Sequence, residues 1–108
     1  MKRYSNEERA FKLIKEYPII LDFTGCKYLD EIHYILKDKF GLPEYYGKNW
    51  DALWDCLDYL FYSKGEVLAY IKGLETLSKD LRDEIQIMLE VFLDVQKNTP
   101  NFVYTVLS

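Results

Sequence analysis

Apolar positions recur along this chain with two periods, and the switch between them marks the elements. Ile19-Ile20-Leu21-Asp22-Phe23, Glu66-Val67-Leu68-Ala69-Tyr70-Ile71 and Phe102-Val103-Tyr104-Thr105-Val106-Leu107 are short β-branched and aromatic runs bounded by turn residues, the pattern of strands. The near-continuous apolarity of the first predicts burial on both faces, as in a parallel sheet. Between these runs the period lengthens. Leu29, Ile32, Ile35, Leu36 and Phe40 predict a helix, with Asp30 and Glu31 in its first turn, Lys37 and Lys39 in its last, and Gly41 as its stop. Asn49 caps a second helix running to about Leu60 or Phe61, after which Tyr62-Ser63-Lys64-Gly65 reads as a loop. Ser78 caps a third, whose core face is Leu81, Ile85, Met88, Leu89, Phe92 and Val95. A short amphipathic helix is also predicted from Asn6 to Tyr17, capped by Ser5 or Asn6 and ended by Pro18.

Three apolar strands separated by helices require crossover connections. The expected fold class is therefore α/β: a small three-stranded parallel sheet packed by helices, with an extra N-terminal helix. The chain divides into an N-terminal helical extension, residues 1–17, and the α/β domain, residues 18–108. Its 108 residues suffice for one core and are too few for two.

Composition narrows the function. The chain is 49% hydrophobic and 30% charged, as a globular domain should be, and its ten Tyr exceed what a core requires. A net charge of −4 argues against binding nucleic acid, which needs clustered Lys and Arg, and favours a basic partner. Cys26 and Cys56 lack metal-ligand spacing and suit buried free thiols. His33 is the only histidine, at the edge of an apolar stripe, and is assigned a structural role. Neither cofactor nor metal is expected. With no apolar leader and no run approaching the ~20 apolar residues of a membrane span, a cytoplasmic protein is expected, a monomer when free.

The chemistry concentrates between Leu42 and Leu60. There Glu44, Asp51, Asp55 and Asp58 stand against Lys48 alone, a local charge of −3. On a helical projection Leu53, Leu57, Leu60 and Phe61 share one side, and Asp51, Asp55 and Asp58 form a stripe on the other, flanked by Trp54 on one edge and by Ala52 and Tyr59 on the opposite one. The helix dipole accounts for Asp51. It does not account for Asp55, since like charges four apart cost a helix roughly 0.2–0.5 kcal/mol and Asp is a mediocre helix former. Acids on successive turns of one convex helix do not flank a substrate as a catalytic pair must, so the stretch is read as a binding face and not as an enzyme site.

Leu42-Pro43-Glu44-Tyr45-Tyr46-Gly47, then Asn49 and Asp51-Ala52-Leu53-Trp54-Asp55-Cys56-Leu57, resembles the central motif of the barstar family, the intracellular inhibitors of barnase-type ribonucleases, nearly residue for residue. A weaker similarity runs from about Ile19 through His33 and to the closing Thr105-Val106-Leu107-Ser108. The resemblance implies that the second helix and the loop before it enter the ribonuclease active site, with Tyr45, Tyr46, Gly47, Asn49, Asp51, Trp54 and Asp55 as partner-binding residues. Asp94 on the third helix, with Val91 a turn earlier, is the best match to a further acidic contact of the family. The chain departs from the family at Lys48 (Glu in the member compared), at Trp50 (Leu) and at Asp58-Tyr59-Leu60 (Thr-Gly-Trp). A barstar-like domain for another basic protein or toxin is the alternative expectation.

Overall fold

The computed structural model describes residues 11–107, the side chains at 62–64 excepted. In order come β1 (Ile19–Asp22), α1 (Leu29–Phe40), α2 (Trp50–Lys64), β2 (Val67–Lys72), a 3-10 turn (Leu74–Thr76), α3 (Lys79–Asn98) and β3 (Phe102–Val106). The strands form one sheet in the order β1-β2-β3, both pairings parallel, with Ala69 of β2 opposite Ile19 of β1 and Tyr104 of β3. This is the α/β class, with the parallel three-stranded sheet, that the two periods predict.

Because the sheet steps from β1 to β3 in one direction, right-handed crossovers carry all three helices to the same face. Ile19, Leu21, Val67, Ala69, Ile71 and Phe102 are accordingly buried. On the opposite face Ile20, Leu68 and Tyr70 are only half-buried and Val103 is exposed. The expectation that β1 is buried on both faces is thus corrected: sequential strand order leaves the second face without a covering helix.

The helices meet over an aromatic nest. Phe61 stacks on Phe102 at 4.3 Å, and Phe92 stands edge-on to both Phe40 and Phe102. Such pairs add roughly 0.5–1.5 kcal/mol each beyond the burial of their area. The residues expected on the core face of α3 all lie inward, Leu89 being half-buried and the rest buried. Cys26 and Cys56 are buried and are not joined in a disulfide, and burial raises the Cys26 thiol above its ordinary value.

Two boundaries differ from expectation. Residues 62–64 are helical, not a loop; α2 stops only at Gly65, whose φ of 86° suits glycine far better than the residues before it. The helix expected from Asn6 to Tyr17 is not formed in its described part: residues 11–17 run irregularly along the end of α1, and the remainder, with its Ser5 or Asn6 cap, lies outside the described residues. The Lys12 N–H donates to the Gly41 carbonyl at 2.8 Å instead of closing a helical turn. Isolated helices shorter than about 12–15 residues are marginal, so docking decides the conformation here.

Candidate functional site

The loop before α2 is built from inside outward. Leu42 and Pro43 are buried, the Tyr46 N–H donates to the Pro43 carbonyl at 2.9 Å, and the Tyr46 ring turns into the core. There its hydroxyl lies 2.6 Å from His33 Nδ1, in hydrogen bond, and Trp50 packs on His33 with ring centroids 4.4 Å apart. Burial holds the Tyr46 hydroxyl above its ordinary range and His33 below its own, so both groups are neutral at pH 7. His33 thus has the structural role expected of it, fixing the loop to α1 and to the first turn of α2.

Asn49 begins the helix, its Oδ1 accepting the Ala52 N–H at 2.8 Å while its Nδ2 donates to the Gly47 carbonyl at 3.3 Å. Its side chain is therefore committed to the cap. A Cβ at Gly47 would meet Asn49 Nδ2 at 3.2 Å, so the loop closes tightly at that point.

From this support Tyr45, Asp51 and Asp55 project into solvent. Trp54 is half-buried between helices, and its Nε1 donates to Asp94 Oδ2 of α3 at 2.7 Å. That bond sets Asp94 and Asp55 on either side of one indole. Two clefts meet at Trp54. Tyr45, Tyr46, Gly47, Asp55 and Asp58 line a cavity of about 220 Å³ on one side of it. Asp51, Val91 and Asp94 line a shallower groove on the other. All the residues expected on the face except Asn49 border one cleft or the other, but Tyr46 offers little surface and supports the loop from beneath. Among the described residues the Asp51 and Asp55 carboxylates make no hydrogen bond or ion pair.

The charges sort differently from their order in sequence. Glu44 turns away, pairing with Lys37 at 2.8 Å and Lys12 at 3.2 Å, and these lysines hold its carboxyl below the usual range. Lys48, at φ 53°, borders a cleft with Cys26, Asp30, Glu31 and Tyr34. The positive charge adjacent to the motif in sequence thus belongs to the α1 side of the molecule. In exchange, α3 brings in acids that sequence reading passes over. Glu84 accepts from Trp50 Nε1 at 2.9 Å, and Glu90 lines the groove beside Asp94. Their only sequence signal is the helical spacing of Glu84, Ile87, Glu90, Val91 and Asp94 on one side of α3, which says nothing of the helix it faces.

No helix among the described residues is long and apolar enough to cross a membrane. The family model described as Barstar (barnase inhibitor) matches residues 17–106. A curated relative, named "Putative ribonuclease inhibitor YrdF", of Bacillus subtilis (strain 168), is 51% identical over 39 residues, 36% of this chain and 43% of its own length. The match thus spans less than half of that relative. With 17–106 covered by the family model, and with the parallel sheet and the capped acidic helix in place, this chain belongs to the barstar family.

Proposed function

We propose that this protein inhibits a barnase-type ribonuclease by seating the start of α2 and its preceding loop in the nuclease active site. Asp55 carries the reading: an exposed carboxylate with no partner among the described residues, set between Trp54 and Tyr45 at the mouth of a cavity. It would stand where the RNA phosphate stands, among the basic groups that a ribonuclease needs for its substrate. Asp51 and Asp94 extend the negative surface, Trp54 and Tyr45 shield it from water, and Asn49, Gly47 and Tyr46 hold its shape. Charge complementarity speeds encounter, and a desolvated centre slows dissociation. The protein acts by occupation, with no cofactor and no chemistry of its own.

The test is RNA cleavage by purified barnase with increasing amounts of the full chain. Stoichiometric loss of turnover is expected, and unchanged turnover at micromolar protein overturns the reading for that enzyme. A second reading keeps the face and changes the partner to another basic protein or toxin. It is favoured by one observation: Asp58 and Tyr59, both at positions that depart from the family motif, line the cavity beside Asp55. Co-purification of a basic protein without ribonuclease activity, displaced by high salt, would select it.

A further inference from the structure

β3 forms one edge of the sheet and pairs with β2 alone. In a parallel ladder alternate residues bond to the neighbouring strand. Here the Asn101 carbonyl accepts from Val67 at 3.0 Å and the Leu107 N–H donates to Ile71 at 2.7 Å, so Val103 and Thr105, in step with them, also turn their backbone groups toward β2. Phe102, Tyr104 and Val106 turn theirs outward. Phe102 is served within the chain: its N–H donates to the Thr99 carbonyl at 3.0 Å, and its carbonyl accepts from Gln96 Nε2 at 2.9 Å. The N–H and C=O groups of Tyr104 and Val106 make no hydrogen bond among the described residues.

Proteins guard such an edge with charge, proline or brevity. β1, the opposite edge, has all three, being four residues long, following Pro18 and carrying Asp22. β3 has none of them. From Phe102 to Leu107 the chain is uncharged and lacks Pro and Gly, and Val103, Val106 and Leu107 are 42%, 45% and 58% exposed. Val106 is exposed although it alternates onto the helix-covered side, so the helices do not reach over this end of the strand. With a net charge of −4 on each chain, two copies repel over most of their surface, and an uncharged strand is where they meet without opposing charges.

The free groups also match themselves. Antiparallel pairing about a two-fold axis at Thr105 sets Tyr104 opposite Val106 of a second copy, where the two residues exchange N–H and C=O, and so uses every free group of both edges. On the open face of the sheet it sets Val103 against Leu107 of the second copy and Thr105 against its own counterpart, the cross-strand pairs that stabilise an antiparallel ladder. We infer that this chain, monomeric when dilute, forms a symmetric dimer through β3 that joins two three-stranded sheets into one continuous sheet. A single strand edge buries less than the roughly 800 Å² per partner of a standard interface, so a dissociation constant of roughly 10–1,000 μM is expected. Among the described residues none of β3 borders either cleft at Trp54, so this inference and the proposed function stand or fall separately.

Sedimentation equilibrium of the full chain from about 10 μM to about 1 mM should show a reversible monomer–dimer equilibrium, and T105K, which sets two ammonium groups at the two-fold axis, should weaken it by about tenfold or more. Cysteine cross-linking reads the register. Opposed residues of a non-hydrogen-bonded pair lie about 4.5 Å apart at Cα, within disulfide reach, so T105C should give a disulfide-linked dimer on mild oxidation. V103C, on the same face but about 14 Å from its own counterpart, should not, and the unsubstituted chain serves as the blank for Cys26 and Cys56. Thr105 is exposed, so neither substitution there disturbs the core. A chain that stays monomeric at about 1 mM overturns the inference and leaves the edge to an extended segment of another protein. A dimer that T105K leaves intact, or that V103C links as readily as T105C, overturns it too.

Discussion

In the first turn of α1, Glu31 accepts the N–H groups of Lys27 and Tyr28 at 2.7 and 2.9 Å, and farther along the same side of the molecule Lys37 and Lys39 pair with Glu44 and Glu16. In the first two turns of α2, the Asp51 and Asp55 carboxylates make no hydrogen bond or ion pair among the described residues, although Lys97 of α3 lines the groove that Asp51 borders. Both helices are acidic at their starts, but on α1 the charge is consumed by the fold and on α2 it is left over. The difference separates a charge that stabilises from one that is available to a partner, and helix position alone cannot make that separation, since the dipole favours an acid equally in both first turns.

That contrast can be broken from either side, and the largest effect is expected on α2. Asp55→Ala should cost on the order of 2 kcal/mol or more of nuclease binding, about thirtyfold or more in inhibition constant, a hot-spot scale set in part by the barnase–barstar pair itself. Its thermal unfolding should be unchanged; a matching loss of stability would make Asp55 structural. Glu31→Gln should do the opposite, lowering the denaturation midpoint as its charge-assisted cap bonds weaken while inhibition stays within about a factor of two. Denaturant unfolding and the cleavage assay on one preparation read both quantities.

A pH titration sharpens the comparison at the joint between the helices. Burial depresses His33 below its ordinary value of 6.5, against the opposing pull of Asp30 and Glu84 and with that of Lys48. Between the depressed value and 6.5 the unfolded chain holds a proton that the folded chain lacks. Stability is therefore full above pH 6.5 and declines on acidification through that window, by at most about 1.4 kcal/mol per pH unit. His33→Asn should flatten the decline, and an unchanged pH profile would mean that His33 does not titrate with unfolding. The smallest effect is expected for Glu44→Gln: its ion pairs are exposed, so the denaturation midpoint should barely move and inhibition should change by less than about twofold. A strong loss of inhibition would return Glu44 to the binding face.

Tyr46 shows how far the motif could be read without coordinates. It stands beside Tyr45 in a stretch that resembles the family's binding loop, and nothing in the sequence says that one ring enters solvent and the other meets His33, thirteen positions earlier in the chain. Lys48 is the converse case. Two residues from Trp50 in sequence, it borders the opposite cleft because the turn at φ 53° carries it there.

The sequence by itself determined the three strands, the three helices between them and the core faces of those helices, because period, caps and stops are local properties: Asn49, Ser78 and Gly41 act within a few residues of where they stand. It also determined Asp55, whose place on the outer side of α2 follows from the 100° step. Only the tertiary structure decided which charges remain available. Glu44 is neutralised by Lys37 and Lys12, and Trp54 is tied to Asp94 and Trp50 to Glu84 across α2 and α3. Phe11 enters the cavity from a segment whose local pattern reads as helix. Each of these depends on two parts of the chain meeting in space, and a contact between distant residues leaves no period for the sequence to display.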